Sequence, residues 1–140
     1  MKNLWPEDFK AKELKSVKAV LEEQAKLLPK ITGDMVYAKI IGMGRLESMQ
    51  RDHVNDFSYS FNLIAKFLKG YSFKVLDFSY PVTMYPVKIT LDELIAEEMQ
   101  CESVFEVNNE NEFIAILGGI LNSNRIKDIV GSIIKLSSEQ

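Results

Sequence analysis

The 140-residue chain has one cysteine, Cys101, and one histidine, His53. One cysteine excludes an intrachain disulfide. One histidine excludes a zinc site built on paired histidines. No apolar run approaches the ~18 residues that a membrane span needs. Met1 to Phe9 hold no apolar stretch of signal-peptide length, since Leu4 and Trp5 are followed at once by Pro6, Glu7 and Asp8. There is no Asn-x-Ser/Thr glycosylation acceptor. The formal net charge of -3 offers no basic footprint for nucleic acid. Together these absences predict a cytoplasmic protein that binds neither nucleic acid nor membrane. Also missing are a nucleophile elbow and a P-loop. Gly42-Met43-Gly44-Arg45-Leu46-Glu47 fails the dinucleotide fingerprint, with Glu47 where the third glycine belongs.

What is present is an ordinary globular composition, 46% hydrophobic and 26% charged. That is enough apolar material, in a chain of this length, for one core without staples. Charge is unevenly placed. Residues 1–88 carry 14 basic and 10 acidic side chains, whereas residues 89–124 carry eight acidic ones and no Lys or Arg. Such a run is either a solvated face or a surface that attracts a basic partner. The expected partner-facing residues are Glu93, Glu97, Glu98 and Glu102.

Periodicity supplies the architecture. Pro6, Glu7 and Asp8 suit the opening of a helix. Leu14, Val17, Leu21, Ala25 and Leu28 continue it at three- and four-residue spacing, and Pro29 marks its end. Leu4 and Trp5 are expected to dock back as a staple. Residues 35–46 read as a strand with a bend at Gly42 and Gly44, and residues 47–56 as a polar loop. Phe57, Tyr59, Phe61, Leu63, Ala65 and Phe67 then alternate with Ser58, Ser60, Asn62, Ile64, Lys66 and Leu68. That pattern predicts a strand with one face on the core and the other largely wet. Residues 71–80 should pair with it as a hairpin, with a bulge near Asp77 where the apolar phase switches. Residues 82–89 read as an edge strand because of Pro86. Thr90-Leu-Asp-Glu93 is a capping-box pattern that opens a short helix to about Met99. Residues 103–107 are a short strand. Asn109 with Glu112 starts a helix lined by Phe113, Ile114, Ile116, Leu117, Ile120 and Leu121. A last helix carries Ile126, Ile129, Val130, Ile133 and Ile134. The expected fold is α+β: residues 1–140 form one two-layer domain. Its antiparallel sheet of about four to five strands packs against an N-terminal helix and two C-terminal helices.

The opening Asn3-Leu4-Trp5-Pro6-Glu7-Asp8 resembles the start of a group of small uncharacterised bacterial cytosolic proteins. So do Leu-Glu-Glu-Gln-Ala at 21–25, Tyr85-Pro86-Val87 and Glu112-Phe113. The resemblance spans most of the chain and implies a bacterial cytosolic origin. It brings no activity with it.

Three functional readings follow. The first is a non-enzymatic binding or assembly protein, acting through protein–protein contact with a basic partner or through self-association as a homodimer. The second is a small-molecule carrier, with the aromatic residues of the strands lining a pocket between sheet and helices. The third is an enzyme centred on Arg51-Asp52-His53-Val54-Asn55-Asp56, where Asp52, His53 and Asp56 put carboxylates beside an imidazole. A hydrophilic turn is the preferred reading of that segment, and His53 is then expected to be dispensable for folding. Anionic neighbours Glu98, Glu102 and Glu106 raise the pKa of a thiol, so Cys101 is expected to be packed rather than reactive. No catalytic residue, cofactor or metal is expected.

Overall fold

The computed structural model describes residues 1–140. In chain order it comprises α1 (Val17–Ile31), β1 (Val36–Gly42), α2 (Arg45–Gln50), β2 (Phe57–Ala65) and β3 (Ser72–Tyr80). It continues with β4 (Val87–Leu91), α3 (Glu93–Glu98), β5 (Val104–Val107), α4 (Glu110–Leu121) and α5 (Asn124–Ser138). The five strands form one antiparallel sheet in the order β1-β2-β3-β4-β5, each paired with its sequence neighbour. The fold is α+β, with an N-terminal helix and two C-terminal helices beside the sheet. No helix is long and apolar enough to cross a membrane.

The first helix begins eleven residues later than Pro6. Ser16 caps it, its hydroxyl accepting a hydrogen bond from the Ala19 amide. Carried backwards, the apolar stripe of α1 lands on Lys10 and Glu7, so an earlier start would turn charge toward the core. Residues 1–15 therefore stay non-helical and exposed, and the Leu4–Trp5 staple does not form. At the other end α1 runs past Pro29 to Ile31. Thr32 closes it, donating its hydroxyl to the Leu28 carbonyl and accepting from the Val36 amide.

Further differences have local causes. Residues 45–50, read as the end of a strand and the start of a loop, form α2 behind Gly44, and β1 ends at Gly42. The bulge falls at Val75, two residues before Asp77: Phe61 pairs with Leu76 and Asn62 with Lys74. β4 lies inside the sheet rather than at its edge, because Pro86 precedes its first residue and withholds no ladder donor. The cap of α3 is Asp92, two residues beyond Thr90, with its carboxylate accepting from the Ile95 amide. The Asn109–Glu112 box forms as expected. Asn109 accepts from the Glu112 amide, and Glu112 reaches back to the Asn108 amide.

Register places Phe61, Leu63 and Ala65 of β2 on one face with Leu76 and Phe78 of β3 and Val87, Ile89 and Leu91 of β4. These residues join Val17, Val20 and Leu21 of α1, Phe113, Leu117 and Ile120 of α4, and Ile126, Ile129 and Ile133 of α5 in one core. Phe61 is 2% exposed, so the expected phase is the core phase, although its end Phe57 is 39% exposed and Phe67, beyond the strand, 50%. Tyr59 stacks on Phe78 at 5.4 Å and Phe57 on Tyr80 at 5.6 Å.

The opposite face is drier than alternation implied. Ser58, Ser60, Asn62, Asp77 and Ser79 are all buried there. α2 and the segment after it fold back over this side of the sheet, and a short polar cover is enough to exclude water from hydroxyls and amides that pair with one another.

Candidate functional site

An apolar pocket of about 390 Å³ lies between the sheet and the helices. Leu27, Leu28 and Ile31 form its α1 wall, Ala38, Phe61 and Leu63 its floor, and Leu121, Ile126 and Val130 the far side. Side-chain size explains the gap. Ala38 on β1 stands opposite Leu63, and a methyl group leaves open the space that a larger residue would fill. Only two polar side chains line it, the neutral amides of Gln24 and Asn122. Asn122 spends its amide N–H on the Gly118 carbonyl at 2.8 Å, which leaves its oxygen free. No ionisable group faces the pocket, so a charged ligand group buried there would lose hydration without compensation.

The pocket continues into a second groove of about 280 Å³ between α1 and α4, which shares Gln24, Leu121 and Asn122 with it. Val20, Ile114 and Leu117 line that groove, and a Cβ on its Gly118 would meet nothing within 4 Å. Lys15, Glu23 and Glu110 stand at its head. There the Lys15 amide donates to Glu110 at 2.9 Å, its ammonium pairs with Glu23 at 2.8 Å, and its carbonyl accepts from the Tyr85 hydroxyl at 3.1 Å. Burial, followed by the charge of Glu110, pushes the Tyr85 hydroxyl up to about 12, so it remains a donor. Larger depressions beside α2 and at the start of α5 are more polar.

The carrier reading placed a pocket between sheet and helices, and one lies there. Its lining is aliphatic, with Phe61 the single aromatic. Among the other strand aromatics, Phe57, Tyr59, Phe78 and Tyr80 stack with one another. The sequence signal for the pocket is the lone small residue, Ala38, in the apolar phase of β1.

The Asp52–Asp56 segment is arranged differently from either reading of it. His53 is fully buried. Its Nδ1 lies 2.9 Å from the Ser79 hydroxyl and its Nε2 2.8 Å from the Thr90 hydroxyl. Ser79 also accepts from the Asn55 amide at 2.9 Å. Burial holds the imidazole below its ordinary pKa, against the attraction of Asp77. The ring is a neutral clamp that fastens the segment to β3 and β4, and the expectation that folding dispenses with His53 is corrected.

The neighbouring carboxylates face elsewhere. Asp52 is exposed and pairs with Lys88 at 2.9 Å, whose hydrogen bond and charge hold it below the usual carboxylate range. Asp56 accepts from the Val82 amide at 2.9 Å. Asp52, His53 and Asp56 therefore do not converge. Beside the clamp, buried Asp77 receives Arg51 and Lys74, each at 3.0 Å. Sequence reasoning missed this cluster, because Asp77 looked like a phase break rather than an ion-pair centre.

The four acidic residues sit on and after α3, and all are exposed. Glu98 is engaged, its carboxylate accepting from the Asn124 and Arg125 amides at 2.7 and 3.1 Å. That supports the positive end of α5. Glu93, Glu97 and Glu102 make no side-chain hydrogen bond or ion pair, so their charge is directed to solvent. Cys101 is exposed rather than packed, because it lies in the turn after α3.

Comparison with protein-family models, curated proteins and solved structures finds no match to this chain.

Proposed function

We propose that this protein is a non-enzymatic binding protein that carries an apolar small molecule in the pocket between α1, the sheet and α5. One observation carries the reading: a pocket of about 390 Å³ in which nine of the eleven lining residues are hydrophobic. Ligand sites are typically ~300–1,000 Å³, mostly apolar, with a few polar groups that fix orientation. Gln24 and Asn122 supply those groups. Their neutrality selects an uncharged ligand, or one whose polar end stays at the rim.

The test uses N-phenyl-1-naphthylamine, an uncharged apolar fluorophore. It should bind the protein with enhanced emission, and Ala38→Phe should abolish binding by filling the floor while circular dichroism stays unchanged. Absence of binding, or equal binding by the folded Ala38→Phe variant, refutes the reading.

A second reading is a basic protein partner on α3, supported by the unpaired, exposed carboxylates of Glu93, Glu97 and Glu102. Its association would be faster at low salt. Glu93→Lys with Glu97→Lys should slow capture of that partner without altering the fold. An unchanged interaction profile removes this surface.

A further inference from the structure

The arm before α1 is the part of the chain the fold leaves unused. Leu4 is 79% exposed, Trp5 73% and Phe9 71%. Trp5 and Phe9 contact each other, with ring centroids 6.2 Å apart, and nothing else covers them. Such a cluster of large apolar side chains in water calls for a cover. The groove between α1 and α4 and the pocket it runs into lack a cover of their own: Ile114 of the groove is 47% exposed, and Leu27 and Ile31 of the pocket wall are 47% and 78%.

Arm and groove are joined at one point. Lys15 is both the last residue before the helix cap and a lining residue of the groove's head, fixed there by Glu110, Glu23 and Tyr85. From Lys15 the groove runs along α1 to the apolar pocket. Lengths agree as well. Six extended residues, Lys15 back to Phe9, span about 20 Å. Thirteen helical residues, Lys15 on to Leu28, also rise about 20 Å. An arm folded back along α1 thus delivers Phe9 to the pocket. On the same scale Lys12 comes level with Glu22 and Asp8 with Lys30, each meeting opposite charge, while Lys10 comes level with Lys26. Lys12, Asp8 and Lys30 make no ion pair in the structure.

We infer that residues 1–14 form a strap that closes in cis over the groove between α1 and α4, with Phe9 seated in the apolar pocket. This deepens the reading of the pocket as a ligand site: the strap is its lid, and an apolar ligand displaces Phe9 to enter.

Trp5 is the only tryptophan, so the intact chain reports on its own arm. With the strap closed and Trp5 still packed on Phe9 at the pocket, Trp5 emission should lie to the blue of N-acetyl-tryptophanamide and resist acrylamide several-fold better. Both signals should be independent of protein concentration. Leu27→Asp with Ile31→Asp changes two exposed residues of the pocket wall, so the fold is retained, as circular dichroism will check. This double variant, and Phe9→Asp separately, should return Trp5 to the free emission and quenching. Wild-type Trp5 that is fully quenchable overturns the strap. So does shielding that survives the double variant, and so does shielding that appears only with dimerisation, since that is exchange with a second copy. N-phenyl-1-naphthylamine separates the two proposals. Probe binding with an exposed Trp5 sinks the strap and leaves the carrier standing. A shielded Trp5 with no probe binding by Phe9→Asp sinks the carrier and leaves the strap. If both hold, Phe9→Asp should bind the probe several-fold more tightly than wild type.

Discussion

Replacing His53 with alanine tests the polar clamp directly. The ring is fully buried and bridges Ser79 and Thr90. Each hydrogen bond contributes ~0.5–1.5 kcal/mol net. Ser79 keeps Asn55 as a donor, but no other side chain is bonded to the Thr90 hydroxyl, and an orphaned buried polar group costs ~1–3 kcal/mol. Water reaching half-buried Thr90 reduces that second cost, so the total should be about 2–4 kcal/mol. That is a large share of the ~5–15 kcal/mol that holds a typical domain together. Urea denaturation should show a lower midpoint at an unchanged slope. Val54→Ala, one residue on and 70% exposed, is the control and should change stability by less than ~0.5 kcal/mol. Thr90→Val should cost less in the His53→Ala background than in wild type, because the pair is already broken. The pH dependence has a definite sign. Above the unfolded histidine pKa of about 6.5 neither state holds the proton, and the clamp is intact. Below it the unfolded chain takes up a proton that buried His53, with its lowered pKa, does not. Stability then falls with pH until the folded pKa is reached. His53→Gln should flatten that part of the curve. A His53→Ala cost below ~0.5 kcal/mol, or an unaltered pH profile, would refute the clamp.

Three other outcomes are open to the same unfolding assay. Phe61→Ala should cost about 3–5 kcal/mol, the usual loss for a buried Phe; Ser60→Ala, expected to be neutral from alternation alone, should cost ~0.5–1.5 kcal/mol, because buried Ser60 accepts from Asn62 at 3.0 Å. Glu98→Ala should lose roughly 0.5–2 kcal/mol by freeing the Asn124 and Arg125 amides in the first turn of α5, whereas Glu97→Ala on the same helix should be close to neutral. Gly131→Ala should stabilise by up to about 1 kcal/mol, since the position is within α5, exposed, and open to a Cβ on every side.

Periodicity and capping chemistry in the sequence determined the order of the elements other than α2, the hairpin of β2 with β3 and the core phase around Phe61. These are local properties: a period of two or 3.6 and a donor–acceptor pair three residues apart do not depend on distant chain. The Asn109–Glu112 box was legible for that reason. Where α1 begins was less so, because Pro6 and Ser16 are both competent openings, and the choice turned on which one keeps Lys10 and Glu7 out of the core. Tertiary structure alone decided the rest. His53 sits in a hydrophilic run, yet it is buried because Ser79, 26 residues on, and Thr90, 37 residues on, meet its two nitrogens. Glu98 looked like one acid of a run and became a cap because α5 returns to α3. The pocket exists because Ala38, Phe61, Leu28 and Val130 arrive from four separate elements without filling the space between them. A void has no sequence of its own; it is set by how closely distant side chains approach, and that is fixed only when the sheet and its helices close on one another.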